Sequence, residues 1–167
     1  MHGLILTSLL DFAGRRESDG FRADRAYPDE DFEELVQELA AERGVSRDDL
    51  LRRFGRFAAT TTFLRLHPEY YAESSGTREF LLDVERRIHE LVRATVPDAR
   101  PPHLRVAPLG AEGVAVTYTS DRRLCAMLEG LVEGVALHYG ETFSVTHKQC
   151  MLRGDLGCAV FVEPADD

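Results

Sequence analysis

The 167-residue chain is 44% apolar and 29% charged, a composition that supports one globular domain with a hydrophobic core. Its 20 basic and 29 acidic residues give a net charge of −9, and no basic stripe interleaves with aromatic residues, which argues against nucleic-acid binding. The apolar N-terminal run lacks a basic flank and a cleavage motif and soon reaches Asp11, so neither a signal peptide nor a membrane span is predicted. Three cysteines cannot form a closed disulfide framework, which favours a reducing cytoplasm.

The N-terminal half has helical periodicity. Residues 3–13 predict a short apolar helix, and the apolar positions of "DEDFEELVQELAAERGV" predict a second helix that Gly44 stops. Ser46, with Asp49 three residues later, is an N-cap signal for a third helix that ends before Pro68.

The segment "SGTREFLLDVERRIHELVRATVPDARPPHL" predicts a further helix, capped by Ser75 or Thr77 and closed at Val96 by Pro97. Its apolar positions form two neighbouring rows: Leu81, Val84, Ile88 and Leu91 in one, and Leu82, His89, Val92 and Val96 in the other. A helix with two apolar faces is buried on both, between packed elements or against a ligand.

Beyond residue 102 the apolar residues recur at every second position instead of at helical spacing. The stretches "LRVAPL", "GVAVTYTS", "TFSVTHKQCML" and "GCAVFVEP" predict strands, and "RRLCAMLEGLVEGVALHYG" predicts an amphipathic helix between the second and third of them. The gap "RGDLG" is a hairpin-turn signal. The predicted class is therefore α+β, with a helical N-terminal half and a roughly four-stranded antiparallel sheet.

His89 and a polar trio are the first candidates for chemistry. A lone histidine on an apolar helix face is either a hydrogen-bonded core residue or an axial ligand to a planar iron cofactor. In "VTYTSDRR", Tyr118, Ser120 and Arg122 occupy alternate positions, which places them on one face of an extended segment. Two hydroxyls and a guanidinium are suitable donors for the two carboxylates of a porphyrin, although a water-facing strand end has the same pattern.

At these residues the chain resembles the heme-nitric oxide/oxygen binding (H-NOX) domains, which are related to the sensor domain of soluble guanylate cyclases. The resemblance covers nearly the whole chain through "MHGLI", "AYPDEDF", "LLRRFGRF", His89 with "PP" at 101 and 102, and the Tyr-x-Ser-x-Arg trio before "LEGLVEGVALHYG". It implies a distal helical lobe (1–68) packed on a proximal lobe with the sheet (69–167), a heme b cofactor and no catalytic activity.

The family's residue roles carry over position by position. The resemblance implies that His89 ligates the heme iron, that Tyr118, Ser120 and Arg122 bind the propionates, and that Pro102 presses on the porphyrin. It also implies that Ile5 and Met127 contact the cofactor.

Met127 stands where oxygen-binding members of the family carry a distal tyrosine. A thioether cannot donate a hydrogen bond to bound dioxygen, so we expect nitric oxide to be preferred over oxygen. Tyr70, Tyr71 and Thr60 to Thr62 are the candidates for a substitute donor.

Cys125, His147, Cys150 and Cys158 form the second constellation. His147 and Cys150 precede the predicted hairpin turn and Cys158 follows it, which brings three soft ligands to one end of two antiparallel strands. Cys125, near the start of the neighbouring helix, completes a Cys3His set of the kind that holds structural zinc, although buried thiols without metal would have the same spacing. Some bacterial members of the resembled family carry a structural zinc on a similar set.

The chain departs from that family in one respect. Family members usually have an additional helix before the Tyr-Pro-Asp segment, and "GRRESDGFRADRA" is too short and too polar to form it. The leading hypothesis is a heme-based nitric oxide sensor that signals to a separate protein such as a histidine kinase, a cyclic-dinucleotide enzyme or a chemotaxis receptor. The alternatives are a zinc or thiol redox module, or a hydrophobic-ligand binding domain, with a vestigial heme pocket.

Overall fold

The computed structural model describes residues 3–15, 20–90, 94 and 101–165. The helices are α1 (Gly3–Ala13), α2 (Asp29–Arg43), α3 (Arg47–Phe57), α4 (Leu64–Leu66), α5 (Pro68–Ala72), α6 (Thr77–Val84) and α7 (Cys125–Tyr139). Two π-helical turns, π1 (Ala58–Phe63) and π2 (Glu85–His89), continue α3 and α6. The strands are β1 (His103–Leu109), β2 (Gly113–Thr119), β3 (Phe143–Gln149) and β4 (Cys158–Pro164), and a 3-10 turn (Met151–Arg153) follows β3.

Local signals set the ends of the N-terminal helices as predicted. Gly44 ends α2 in the left-handed conformation at φ 62°, where a residue without a Cβ is unstrained. Ser46 caps α3, because its Oγ accepts a hydrogen bond of 3.1 Å from the backbone N–H of Asp49. Between α1 and α2, the described residues 14–15 and 20–28 contain no helix.

The start of α6 differs from the prediction. Gly76 is the N-cap and Thr77 is already helical, so neither Thr77 nor Ser75 caps the helix through its hydroxyl. The carboxylate of Glu141, which follows α7, instead accepts a hydrogen bond of 2.8 Å from the Thr77 N–H. A distant acidic side chain therefore replaces the local cap. The predicted end of this helix at Val96 lies outside the described residues.

The sheet is antiparallel with the order β1-β2-β4-β3, which confirms the predicted α+β class and four strands. On β2, Val114, Val116 and Tyr118 are buried, whereas Thr117 and Thr119 are exposed, so helices cover one face only. The β3–β4 register shifts between His147 and Gln149, which is the signature of a β-bulge.

Two hydrophobic cores share one helix. The N-terminal core contains the buried apolar side chains of α1, α2 and α3 with Ala126 and Met127 of α7. The sheet core contains buried side chains of α6, β2 and β4 with Cys125, Leu128 and Val132 of α7. Helix α7 therefore belongs to both cores. Among the described helices, none combines the length and apolar character needed to cross a bilayer.

Glycines bring α3 and α7 into close contact. A methyl group on Gly130 of α7 would overlap the backbone carbonyl of Arg52, and one on Gly55 of α3 would overlap that of Met127. Ion pairs flank this contact, because Glu133 of α7 binds both Arg52 and Arg56. The absence of side chains at the glycines therefore sets the distance between the two helices.

Substitution of Gly130 by alanine is expected to lower the free energy of unfolding by about 1–3 kcal/mol, because the added methyl group meets backbone that cannot move aside. Urea denaturation of the two proteins measures the difference. Leu137→Ala on the same helix is the control, since Leu137 is 62% exposed and should change stability by less than about 0.5 kcal/mol. If the two variants lost equal free energy of unfolding, the close approach of α3 and α7 at Gly130 would not contribute to stability.

Candidate functional site

His89 is the last residue of π2, and a carboxylate supports its imidazole. Its Nδ1 lies 2.8 Å from Oε2 of Glu85, one helical turn earlier, and the two side chains are 17% and 23% exposed. A carboxylate at Nδ1 fixes the orientation and tautomer of the ring, as in many metal-ligating histidines. Because π-helical turns are frequent at functional sites, the position of His89 is also consistent with a ligand role.

The sheet connects His89 with the polar trio. The turn π2 contacts β1, and β1 pairs with β2 so that Leu104 lies opposite Tyr118. Pro102 is half-buried immediately before β1. Neighbouring segments of the fold therefore contain His89, Pro102 and Tyr118.

Tyr118, Ser120 and Arg122 do not lie on one face of an extended segment. The prediction of an extended segment is wrong beyond Thr119. Strand β2 ends there, and the chain turns so that the Arg123 N–H donates to the Ser120 carbonyl at 3.1 Å. The Ser120 Oγ accepts from the Arg122 N–H at 3.3 Å, a short-range contact that competes with strand continuation. A turn, rather than strand alternation, thus sets the directions of Ser120 and Arg122.

Tyr118 is buried beneath that turn. Its hydroxyl oxygen accepts a hydrogen bond of 3.2 Å from the Leu124 N–H, and burial raises the pKa of the phenol. The Tyr118 and Ser120 oxygens both accept from backbone N–H groups, and a side-chain hydrogen bond with Ser120 partly offsets the rise in the Tyr118 pKa.

Arg122 joins the sheet end to the N-terminal helices. Its Nε donates to Oδ1 of Asp29 at 2.8 Å, and the Arg122 side chain is 16% exposed. Burial alone would raise the pKa of Asp29, but neighbouring cations, Arg122 among them, hold that pKa below its usual value. Arg122 is therefore shown binding one carboxylate.

Ile5 and Met127 both belong to the N-terminal core. Met127 is buried there, and Ile5 packs against the same cluster. Three of the candidate substitute donors have protein partners: the Tyr71 hydroxyl donates to the Ala59 carbonyl at 2.8 Å, the Thr60 hydroxyl donates to the Arg56 carbonyl at 2.9 Å, and the Thr62 hydroxyl lies 2.6 Å from that of Ser8.

The three cysteines form one buried cluster. The sulfur atoms of Cys125, Cys150 and Cys158 lie within 4.8 Å of one another, and those of Cys125 and Cys158 are 3.0 Å apart. Cys125 begins α7, Cys150 follows β3 and Cys158 begins β4, so three elements meet here. The predicted third strand is shorter than expected, because Cys150 lies after its end at Gln149.

The cysteine pKa values separate the three thiols. Burial raises the pKa of Cys125 and of Cys158. Burial opposes ionisation at Cys150 as well, but the backbone N–H of Leu152 and the neighbouring thiols outweigh it and lower the Cys150 pKa. Cys150 is therefore the thiol of the cluster that ionises most readily.

His147 lies beside this cluster with a side chain 12% exposed. Its Nε2 is 2.6 Å from Oε1 of Glu129, yet the groups are not aligned as a hydrogen bond, and both ring nitrogens are buried without a hydrogen-bond partner among the described residues. The Glu129 carboxylate raises the pKa of His147, and Cys150 adds to that effect. Of the predicted Cys3His set, the structure brings the three sulfurs within 4.8 Å of one another, whereas the ring nitrogens of His147 lie outside that group. Three clustered thiols with a buried imidazole nearby are nevertheless ligand types that suit zinc.

Comparison with known proteins identifies the family. A family model described as Haem-NO-binding (HNOB) matches residues 5–147. The chain belongs to the Haem-NO-binding family. This family comprises heme-based gas-sensor domains, so the chain has a gas-sensor fold. A comparison with curated proteins found no match.

Solved structures share the fold of this family member. An H-NOX protein from S. oneidensis in the Fe(II)NO ligation state is 22% identical, with a TM-score of 0.88 over 99% of this chain and 100% of that chain. The unliganded Fe(II) H-NOX protein from K. algicida is 22% identical, with a TM-score of 0.86 over 100% and 98%. An oxygen-binding H-NOX domain related to soluble guanylate cyclases is 19% identical, with a TM-score of 0.81 over 99% and 96%.

The side chains of the site fit the heme that this family binds. His89 supplies an imidazole held by a carboxylate, and Tyr118, Ser120 and Arg122 supply hydroxyl and guanidinium donors. Sequence reasoning missed the partners of these residues. Glu85 could have been found from its i, i+4 spacing to His89. Asp29 and Glu129 gave no such signal, because each meets its partner only through the tertiary fold.

Proposed function

We propose that this chain is a heme-based sensor of nitric oxide that signals to a separate protein. The observation that carries the proposal is His89, whose imidazole is held by Glu85 on a π-helical turn that contacts β1. Bound heme b would supply the iron position at which a diatomic gas binds. The match of the family model over residues 5–147 supports the same reading.

Each candidate heme-site residue would then have its own role. His89 would ligate the iron, and Glu85 would orient the ring by accepting from its Nδ1–H. Tyr118, Ser120 and Arg122 would donate to the propionates, with Pro102 against the porphyrin. Ile5 and Met127 would contact the cofactor from the N-terminal core, in which both lie.

The preference for nitric oxide over oxygen rests on Met127. Its thioether cannot donate to a polar Fe–O₂ group, and the hydroxyls of Tyr71 and Thr62 already have protein partners. A site without a donor suits nitric oxide, which needs less hydrogen bonding than dioxygen does.

Signalling would use the division into a distal lobe of residues 1–68 and a proximal lobe of residues 69–167. Each lobe contains most of one core, while α7 and the Asp29–Arg122 ion pair join them. A change at His89 would reach the sheet through π2 and β1. The partner would be a cytoplasmic histidine kinase, cyclic-dinucleotide enzyme or chemotaxis receptor, and the chain itself would have no catalytic activity.

An absorption spectrum of the purified chain tests this proposal. We expect a Soret band equivalent to about one heme per chain, a shift on addition of nitric oxide, and no stable oxygen complex. Colourless protein after reconstitution with hemin would overturn the proposal in favour of a vestigial pocket. Protein concentration should come from amino-acid analysis, because the chain contains no tryptophan.

Arg122→Ala is expected to speed heme loss about ten- to a hundredfold, because it removes a charge-assisted interaction worth about 1.5–3 kcal/mol. Transfer of heme to an apo-acceptor protein measures the rate. Arg123→Ala is the matched control, since Arg123 is adjacent and exposed. Asp29→Asn separates the ion pair with Asp29 from a direct propionate contact. If Asp29→Asn speeds loss as much as Arg122→Ala does, Arg122 acts only through Asp29.

We also propose a structural zinc ion on Cys125, His147, Cys150 and Cys158. Support comes from three sulfurs within 4.8 Å of one another and from the buried imidazole nitrogens of His147, which have no hydrogen-bond partner among the described residues. Should heme prove absent, this centre would make a zinc or thiol redox module the leading alternative, in which thiol oxidation releases the metal.

A further inference from the structure

Helix α7 presents a thiol and a carboxylate one turn apart. Cys125 and Glu129 are spaced i, i+4, so their side chains leave the helix on the same side. Cys125 belongs to the thiol cluster, and Glu129 lies against His147 with its side chain 23% exposed. The helix therefore contributes both to the candidate zinc site and to the surroundings of its histidine.

The contact from Glu129 distinguishes the two nitrogens of His147. Both nitrogens are buried without an aligned hydrogen bond among the described residues, but it is Nε2 that lies 2.6 Å from Oε1 of Glu129. A neutral imidazole that binds a metal through one nitrogen carries its N–H on the other, and a carboxylate is a common acceptor for that N–H. The β-bulge beside His147 is also a feature that re-aims a side chain.

Arg52 of α3 approaches the second oxygen of the same carboxylate. Nη1 of Arg52 is 3.6 Å from Oε2 of Glu129, and Arg52 also binds Glu133 one turn further along α7. Glu129 is therefore placed between the sheet and the α3–α7 contact, and Arg52 restricts its position.

We propose that Glu129 is a positioning residue of the zinc site, which holds His147 so that Nδ1 faces the three thiols and Nε2–H faces the carboxylate. This inference rests on the proposed zinc site. A simple Glu129–His147 ion pair is the competing explanation, and it predicts the opposite sign. An ion pair would stabilise protonated His147 against the metal, so its removal would tighten zinc binding rather than weaken it.

Competition with a chromophoric chelator on the full chain tests the inference. We expect Glu129→Ala to weaken zinc binding about 10- to 100-fold, with a smaller loss for Glu129→Gln, which keeps an oxygen acceptor and the side-chain volume. Leu137→Ala is the control, because Leu137 lies two turns further along α7 and is 62% exposed, and its zinc affinity should stay within about twofold. Nitrogen NMR of zinc-loaded protein should show His147 protonated at Nε2, and this proton should become less protected from exchange in Glu129→Gln.

The results separate failure of the inference from failure of the zinc site. If Cys150→Ser abolishes zinc binding and Glu129→Ala leaves it unchanged or tighter, the zinc site stands and the positioning role is wrong. If wild-type protein binds no zinc, the proposed zinc site itself is wrong. Should Glu129→Ala be unstable, the Glu129→Gln affinity and the His147 tautomer decide between the two explanations.

Discussion

Replacement of His89 by glycine is expected to reduce bound heme from about one per chain to a small fraction of that, because it removes the imidazole that we propose as the protein ligand to the iron. Added imidazole should enter the space left by the side chain and restore both heme content and the ferrous spectrum. The Soret absorbance against protein concentration from amino-acid analysis measures the heme content.

Two other histidines provide the controls for this experiment. His67 is half-buried and stacks on Tyr70, and His138 is exposed beside Tyr71 and Tyr139. Glycine at either position should leave the heme spectrum unchanged. A normal ferrous spectrum in His89→Gly without imidazole, with heme lost from His67→Gly or His138→Gly, would assign the iron ligand to that other histidine.

Cys150→Ser is expected to lose zinc and, with it, much of the stability of the sheet. Cys150 is the thiol with the lowered pKa, and a hydroxyl replaces its thiolate poorly as a zinc ligand. A thousandfold weaker affinity lowers the free energy of unfolding by about 4 kcal/mol if wild-type protein is saturated at a thousand times its dissociation constant. Metal analysis and urea denaturation at a fixed free zinc concentration measure the two effects.

A strong chelator provides the internal control for Cys150→Ser. Without metal, wild-type and variant protein should unfold at nearly the same denaturant concentration, since serine is a small change at a site with no bound ion. If the variant is less stable than wild type by the same amount with and without zinc, the Cys150 thiol contributes to stability by packing alone.

Sequence reasoning predicted the elements whose signals are local. Gly44 ended α2, Ser46 capped the start of α3, and the helical run through α3, π1 and α4 stopped at Leu66 before Pro68, because caps and breakers act within one helical turn. The strands followed their alternation, and the three cysteines gathered as their spacing across the hairpin suggested.

What sequence reasoning missed depends on contacts between distant segments. Thr77 is capped by Glu141, 64 residues away, and Arg122 is bound by Asp29, 93 residues away. The alternation of the polar trio could not show that β2 ends at Thr119. The sequence has the same alternating pattern whether or not the chain turns at Ser120. The close approach of Gly130 to Arg52 likewise appears only once α3 lies across α7.

Because α7 supplies side chains to both cores, the two halves of the molecule cannot melt one after the other. Opening the N-terminal core would expose Ala126 and Met127, and opening the sheet core would expose Leu128 and Val132 on the same turns of helix. Either event removes the packing that keeps α7 helical, so unfolding should be a single cooperative transition. The amide hydrogens of α7 should then be among the slowest to exchange with solvent, since they open only when the whole domain does.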